Sequence, residues 1–278
     1  GSRMSVDVTA YLPWDLPGPI GHVLDTMSPD LIVFTKTEVW PVVVDESLRR
    51  GMEVALVAGT VVEGSSRLRP LARALLAPSW RALSRVCAVA DEDATRLRSL
   101  GVQGDALSVT GDPGIDSAAE RAQAADPGAP LLVPFNAEAR PTVVAGSTWS
   151  SDEDVLIPAL AIARQRVPDI RLILAPHEPD PDHVAVLSRR LAADGWSAAT
   201  LSSVEESGSA HGVDAVVVDR VGALADLYTI GQIAYVGGGF HAAGLHSVLE
   251  PAAARLPVLF GPRHHSSRAA ADLMAVDA

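Results

Sequence analysis

Short apolar runs and longer amphipathic stretches alternate along the first part of the chain. The runs have the length of buried strands, and the stretches between them have the length and spacing of helices that cover a sheet. A strand–helix–strand order predicts a parallel sheet, because the chain must cross over between parallel strands. Strands are predicted at 31–34, 54–58 and 87–90, and helices at about 38–50, 68–83 and 92–100.

A second series of the same kind follows residue 141. Strands are predicted at 142–145, 170–175, 215–218, 233–236 and 257–260, and helices at about 152–166, 181–194, 221–229, 244–254 and 266–275. Between the two series the composition changes to an Ala-rich stretch and then to prolines and glycine, which is typical of a connection. We therefore predict an α/β protein with a first domain at 1–125, a linker at 126–141 and a second domain at 142–278. The first domain is expected to be partial, because it shows only three or four strands.

Composition and charge narrow the class of protein. Aromatic residues make up 4% of the 278 residues, and 48% are hydrophobic, which favours helix-covered parallel sheets over a β-sandwich. The formal net charge of −12 argues against nucleic acid as a partner, which needs a basic surface. Cys87 is the only cysteine, so neither a disulfide framework nor a cysteine zinc site is expected. No apolar run reaches the roughly 18 residues that a membrane span requires, and we expect a cytoplasmic protein.

The segment with the most candidate chemistry follows the predicted strand at 233–236. Gly237, Gly238 and Gly239 would let a ligand approach the backbone. Glu250 lies farther along, where a carboxylate could accept hydrogen bonds from both hydroxyls of a ribose. The spacing does not match the G-x-G-x-x-G dinucleotide pattern. The alternative is a tight turn between strand and helix with no ligand.

Other polar residues follow three further predicted strands, at the edge where open α/β sheets bind ligands. Pro176 and His177 end one strand, Ser147 and Thr148 follow another, and Glu38 follows a strand of the first domain. The alternatives are a polar turn, a helix cap and a residue of a first helical turn. No third ligand accompanies His177 and Glu178 at a suitable spacing, so no metal is expected.

Taken in order, several motifs resemble those of the Kdo (3-deoxy-D-manno-octulosonic acid) transferase family. They extend over nearly the whole chain, and their order and spacing carry the resemblance. The matching segments are 11–17 (YLPWDLP), 37–41 (TEVWP), 93–101 (DATRLRSLG), 109–116 (VTGDPGID), 146–148 (GST), 236–240 (VGGGF), 249–252 (LEPA) and 257–262 (PVLFGP).

The resemblance implies a glycosyltransferase of the GT-B class, which has two Rossmann-like domains. The first would be the acceptor side and the second would bind CMP-Kdo, with a lipid A precursor as acceptor, in lipopolysaccharide inner-core synthesis at the cytoplasmic face of the inner membrane. Glu38 falls where the family stabilises the transition state, and no metal cofactor is implied. The residues implied in donor binding are Ser147, Thr148, Pro176, His177, Val221, Gly222, Ala223, Gly237, Gly238, Gly239, Ser247 and Glu250.

The chain also departs from the family pattern. His177 replaces an arginine, Gly114 a lysine and Ser247 an asparagine. The family's general base is a glutamate upstream of the Tyr11 segment, and it is not among these residues, so we expect CMP binding with weak or no transfer. Two alternatives stay open: a non-catalytic or truncated nucleotide-sugar-binding relative, and a GT-B enzyme of UDP-sugars such as a 2-epimerase.

Overall fold

The computed structural model describes residues 7–265 and 267–276. The chain divides into two compact units between Pro113 and Gly114. Each unit has its own parallel sheet flanked by helices, which confirms the predicted α/β class with two Rossmann-like domains. Within the described residues, no helix is long and apolar enough to cross a membrane.

The first unit has a four-stranded sheet whose strands follow one another in sequence order. All its neighbouring strands are parallel. The strands are β1 (Leu31–Thr35), β2 (Glu53–Gly59), β3 (Arg85–Ala88) and β4 (Leu107–Val109), and the helices are α1 (Pro17–Met27), α2 (Pro41–Arg49), α3 (Pro70–Arg81) and α4 (Asp91–Leu100).

Side chains from distant segments hold the loops of the first unit. The backbone amides of Val42 and Val43, at the start of α2, donate to the two carboxylate oxygens of Asp15 at 3.2 and 3.1 Å. The N-cap residue Trp40 makes no side-chain cap, so Asp15 takes that role. The buried carboxylate of Asp93 accepts from the amide of Val61 at 2.9 Å. Two of the family-like motifs therefore contain residues with a structural task.

The second unit has a six-stranded parallel sheet in the order β10-β9-β5-β6-β8-β7. Its central strands β5 and β6 are almost entirely buried, which explains their continuous apolar sequence. The strands are β5 (Thr142–Thr148), β6 (Arg171–Pro176), β7 (Ala198–Thr200), β8 (Ala215–Val217), β9 (Ile233–Val236) and β10 (Val258–Phe260). The helices are α5 (Pro113–Ala124), α6 (Val133–Asn136), α7 (Ser150–Arg164), α8 (Pro181–Ala193), α9 (Leu201–Ser207), α10 (Leu224–Tyr228), α11 (Leu249–Ala253) and α12 (Arg268–Ala275).

Two predicted helices are shorter than expected. The helix predicted at 244–254 is only α11, because the preceding residues form a turn in which Gly244 has a φ of +86°. The helix predicted at 221–229 is only α10, and Gly222 before it has a φ of +90°. Both glycines adopt a left-handed conformation that a helix does not contain. Ser266, the first residue of another predicted helix, lies outside the described residues.

The segment predicted as a linker packs into the second unit. It contains α6, and Leu132 and Phe135 are buried in the core beside Val144 and Ile173. The preceding helix α5, apart from its first residue Pro113, also lies in the second unit. The prolines and glycine of this segment predicted a linker, but Leu132 and Phe135 bury apolar surface that a solvated linker would expose.

Candidate functional site

Polar and aromatic residues gather at the carboxyl edge of the second sheet, where β5, β6 and β9 end. Backbone hydrogen bonds join the three strand ends. The amide of Gly237 donates to the carbonyl of Gly146 at 2.9 Å, and the amide of His177 donates to the carbonyl of Thr148 at 2.9 Å. Because the strands are parallel, the residues that follow them meet at one edge. The predicted donor residues of these three strands therefore lie side by side.

Asp152 organises this edge from the first turn of α7. Its side chain is fully buried, and its carboxylate accepts four hydrogen bonds. The Tyr235 hydroxyl and the Phe240 amide donate to Oδ1 at 2.9 and 3.2 Å. The amides of Gly238 and Trp149 donate to Oδ2 at 2.8 and 3.0 Å. Burial, then the bond to Asp152, raises the pKa of Tyr235, so the tyrosine keeps the proton it donates.

The three glycines are required by the backbone packing around them. A Cβ on Gly237 would lie 2.1 Å from the carbonyl oxygen of Ser147, and one on Gly239 would lie 2.4 Å from the nitrogen of Gly261. Gly238 has a φ of +92°, which side chains disfavour. This packing requires glycine whether or not a ligand binds. Ser147 itself has a φ of +54°, an uncommon conformation for a residue other than glycine.

Trp149 and three histidines form a stacked cluster beside the glycine turn. The Trp149 ring lies 4.0 Å from His241 with an 8° interplanar angle, and 4.6 Å from His177. The His177 and His246 rings lie 4.4 Å apart. Trp149 Nε1–H donates to His246 Nε2 at 3.0 Å, so that nitrogen carries no proton. Burial, then the neighbouring His177, lowers the pKa of His246. Only His177 of this cluster was predicted as a site residue.

Thr148 does not present its side chain at the edge. It is buried, and its hydroxyl donates to Glu153 Oε1 at 2.9 Å. The same oxygen lies 3.1 Å from His183 Nε2. The hydroxyl thus belongs to a buried polar group beneath the strand end, which sequence spacing could not reveal because Glu153 and His183 lie on two helices.

Glu250 and Gly222 come together with a residue that was not predicted. Arg121 on α5 donates through Nη2 to the carbonyl of Gly222 at 3.1 Å, and its Nη1 lies 3.9 Å from Glu250 Oε1. The side chains of Arg121 and Glu250 are 47% and 39% exposed, so both can reach a ligand. Nearby, burial and then the charge of Glu250 raise the pKa of Tyr228. A carboxylate and a guanidinium thus lie within reach of one another at this edge.

The remaining predicted donor residues differ in accessibility. Val221 is 80% exposed, whereas Ala223 is buried. Pro176 is buried as the last residue of β6. Ser247 is exposed, and its hydroxyl accepts from the amide of Leu249 at 3.3 Å. Side-chain contacts to a ligand are therefore open to Val221 and Ser247, but not to Pro176 or Ala223.

Glu38 lies in the first unit. Its side chain is 63% exposed, and Arg67 Nη2 lies 3.4 Å from Glu38 Oε1. The residue precedes α2 rather than opening it, because that helix begins at Pro41. An exposed ion pair of this kind contributes little to stability.

The described part of the chain contains no group of three or more His, Cys, Asp or Glu side chains that could hold a metal ion.

Comparisons with known proteins point to one family. Residues 2–117 match the family model of the 3-deoxy-D-manno-octulosonic-acid transferase (kdotransferase). The chain is 29% identical over 276 residues to a 3-deoxy-D-manno-octulosonic acid transferase of Bordetella pertussis, covering 97% of this chain and 62% of that protein. It is 25% identical to a protein of the same name from Haemophilus influenzae, covering 90% and 57%. The chain thus spans about three fifths of the length of these relatives.

A solved structure agrees with the fold. The UDP-GlcNAc 2-epimerase of Methanocaldococcus jannaschii matches with a TM-score of 0.55 at 14% identity, covering 87% of this chain and 63% of that one. At this identity the likeness concerns the fold alone, and it agrees with the predicted GT-B class. The sequence matches go further than the fold, because both the family model over residues 2–117 and the relatives matched over most of the chain are Kdo transferases, to which this chain is similar.

Proposed function

We propose that the second unit binds a CMP-sugar and that the protein transfers Kdo from CMP-Kdo to a lipid A precursor. The observation that carries the proposal is the group of Glu250, Arg121 and Gly222 at the carboxyl edge of the second sheet. A half-exposed carboxylate can accept from two ribose hydroxyls, and a half-exposed guanidinium can pair with a phosphate. The names of the relatives supply Kdo as the sugar.

The proposed reaction is a direct displacement. A hydroxyl of the acceptor sugar loses its proton to a base and attacks the anomeric carbon of Kdo. A C–O bond forms there as the bond to the phosphate oxygen of CMP breaks, and CMP leaves with that bond's electron pair. Negative charge grows on the leaving phosphate, and Arg121, whose Nη1 lies 3.9 Å from Glu250 Oε1, could offset it. Glu38 is proposed to stabilise the transition state.

No metal is included in this proposal, because Arg121 and backbone amides can supply the electrostatic stabilisation that a cation would otherwise give.

An anionic membrane surface is the proposed location of the acceptor. On α3, Leu71 and Leu75 lie one turn apart and are 74% and 71% exposed. Arg73 and Arg81 are also exposed on this helix. An exposed apolar face with arginines beside it is typical of helices that lie in a membrane interface. This face would bring the first unit to a lipid acceptor on the cytoplasmic side.

The test is a calorimetric titration of CMP, with UMP as the comparison, on the wild type, Glu250→Ala and Glu206→Ala. Glu206 is an exposed carboxylate on α9, so its replacement matches the change in charge. Selective CMP binding that is weakened about tenfold or more in Glu250→Ala and unchanged in Glu206→Ala supports the proposal. A preference for UMP would favour a UDP-sugar enzyme. If neither CMP nor UMP binds, the assignment of the donor site is overturned.

Transfer is tested separately from binding. CMP-Kdo and a lipid A precursor are incubated with the protein, and release of CMP is followed. Gly114 stands where the family has a lysine, and Gly114→Lys would restore that charge. CMP binding without release of CMP in either form would favour the non-catalytic relative.

A further inference from the structure

A second polar concavity lies at the opposite, amino edge of the second sheet. It has a volume of about 520 Å³, and its polar lining includes Glu138, Arg140, Thr142, Arg171 and Gln232. Thr142 and Arg171 begin β5 and β6, and Gln232 precedes β9. The glycine turn lies at the opposite end of β9, and Glu250 lies on α11, which comes after that turn. The concavity is therefore separate from the proposed donor site.

Arg171 is the central residue of this concavity. Its side chain is 2% exposed, and its Nη2 donates to Glu138 Oε2 across a long 3.4 Å. Its Nε has no hydrogen-bond partner among the described residues. The guanidinium also lies 5.6 Å from the centre of the Phe135 ring. A buried cation with an unsatisfied donor is costly, so a partner for Nε would stabilise this arrangement.

The charges around Arg171 do not balance. Arg140 Nη2 lies 2.6 Å from Asp214 Oδ1, and Arg164 Nη2 lies 3.0 Å from Asp214 Oδ2. Glu138 Oε2 is shared between Arg171 and Arg140, with Arg140 Nη1 at 3.8 Å. In these ion pairs of the described residues, three arginines share two carboxylates. Burial, and then the charge of Arg140, lowers the pKa of Arg171, which is the direction expected of a cation with too little countercharge.

We propose that this concavity binds a small oxyanion, a carboxylate or a phosphate group, on the guanidinium of Arg171. Nε and Nη2 form one edge of the guanidinium, and two oxygens of one anion can accept from both. Glu138 meets only Nη2. Its side chain is 38% exposed, on the segment between α6 and β5, so it can swing outward as an anion enters. The volume lies within the range of small-molecule sites.

The experiment titrates inorganic phosphate and, separately, citrate into the full chain at low ionic strength by calorimetry. Arg171→Gln should weaken binding about tenfold or more, because the charged bidentate partner is lost. Glu138→Gln should strengthen binding several-fold, because the competing carboxylate is gone. Arg166→Gln, which removes an exposed arginine of the same unit, should leave binding unchanged.

The result that overturns the proposal is the absence of saturable binding of both anions to the wild type and to Glu138→Gln, or equal binding by Arg171→Gln. If Arg171→Gln does not fold, the gain expected in Glu138→Gln decides the question. Binding of phosphate alone or of citrate alone supports the site and identifies the group it takes. Binding of the anion should be unchanged in the presence of saturating CMP, which separates this site from the proposed donor site.

Discussion

The carboxylate Oδ2 of Asp152 accepts a hydrogen bond from the amide of Gly238 at 2.8 Å, across 86 positions of sequence. The middle glycine of the turn after β9 is thus held by the first turn of α7, the helix that follows the neighbouring strand β5. The same carboxylate binds the hydroxyl of Tyr235 and the amides of Trp149 and Phe240. One buried side chain fixes the geometry of two strand ends at the candidate site.

Asp152→Asn should destabilise the protein. In the wild type, all four donors bind carboxylate oxygens of Asp152. Asparagine replaces one of these oxygens with an NH₂ group, which cannot accept, so at least one buried donor loses its partner. We expect the free energy of unfolding to fall by about 2–3 kcal/mol. Urea denaturation measures the change, with Asp154→Asn as the control because that side chain is 67% exposed beside Arg190. Equal losses in the two variants would contradict a special role for Asp152.

The apolar runs of the sequence predicted the central strands well. β2, β5, β6 and β9 are rich in Val, Ile, Leu and Ala and are largely buried, so composition and burial agree. β1 was also predicted from its apolar run, although only Phe34 of its five residues is buried. The missed strands β4 and β7 have three residues each, and none of those residues is buried. Short, partly exposed strands carry too few apolar residues to give a periodic signal.

The candidate site could be predicted only where its residues follow strands directly. The positions of Gly237, His177 and Ser147 follow from the rule that ligands meet the carboxyl edge of a parallel sheet. Arg121 and His246 could not be found in this way. Arg121 contacts Glu250, which lies 129 positions farther along the chain (250 − 121), and His246 accepts a hydrogen bond from Trp149, 97 positions before it. Such contacts require the folded chain.

Trp149→Phe should raise the pKa of His246 towards its ordinary value near 6.5. The indole N–H donates to an unprotonated Nε2, and this bond favours neutral imidazole. Phenylalanine keeps an aromatic ring at this position but has no N–H to donate to His246. Titration of His246 by NMR in the wild type and the variant measures the change. Trp14→Phe is the control, because Trp14 is 85% exposed in the first unit. An unchanged His246 pKa in Trp149→Phe would contradict this interpretation.

The lowered pKa of His246 also predicts a pH dependence of stability. The unfolded chain binds the proton more readily than the folded chain does, so acid favours unfolding. The contribution of His246 is fully present above pH about 6.5 and is lost as the pH falls through the folded-state pKa. Urea denaturation at several pH values should show this loss in the wild type and a smaller one in Trp149→Phe. Equal pH dependence in the two proteins would exclude the indole as its source.

Asp15→Ala should destabilise the first unit by about 1 kcal/mol, the usual cost of losing a helix cap. The amides of Val42 and Val43 would lose the carboxylate that accepts from them at the start of α2. Asp15→Asn keeps one acceptor oxygen and should lose less. Thermal unfolding of the three proteins measures the order of stability. If Asp15→Asn loses as much stability as Asp15→Ala does, then the charge of Asp15, rather than its hydrogen bonds, stabilises the start of α2.

Replacement of Leu71 and Leu75 by Asp should release the protein from anionic membranes. Both side chains are exposed on one face of α3, so the change costs little stability, but it removes apolar surface that a membrane would bury. Flotation with vesicles of phosphatidylethanolamine and phosphatidylglycerol measures the bound fraction. We expect partitioning to fall about tenfold or more, given the free energy of burying a leucine.

The control for this release is a second pair of exposed apolar residues on helices of the other unit, Ile162 and Val186, at 65% and 50% exposure. Their replacement by Asp makes the same change in net charge, so it measures the repulsion that added carboxylates alone cause at an anionic surface. If the α3 variant is released and the control variant stays bound, the membrane contacts the face of Leu71 and Leu75. Release of both to the same extent would mean that net charge governs binding, and the acceptor would then have to reach the first unit without this helix.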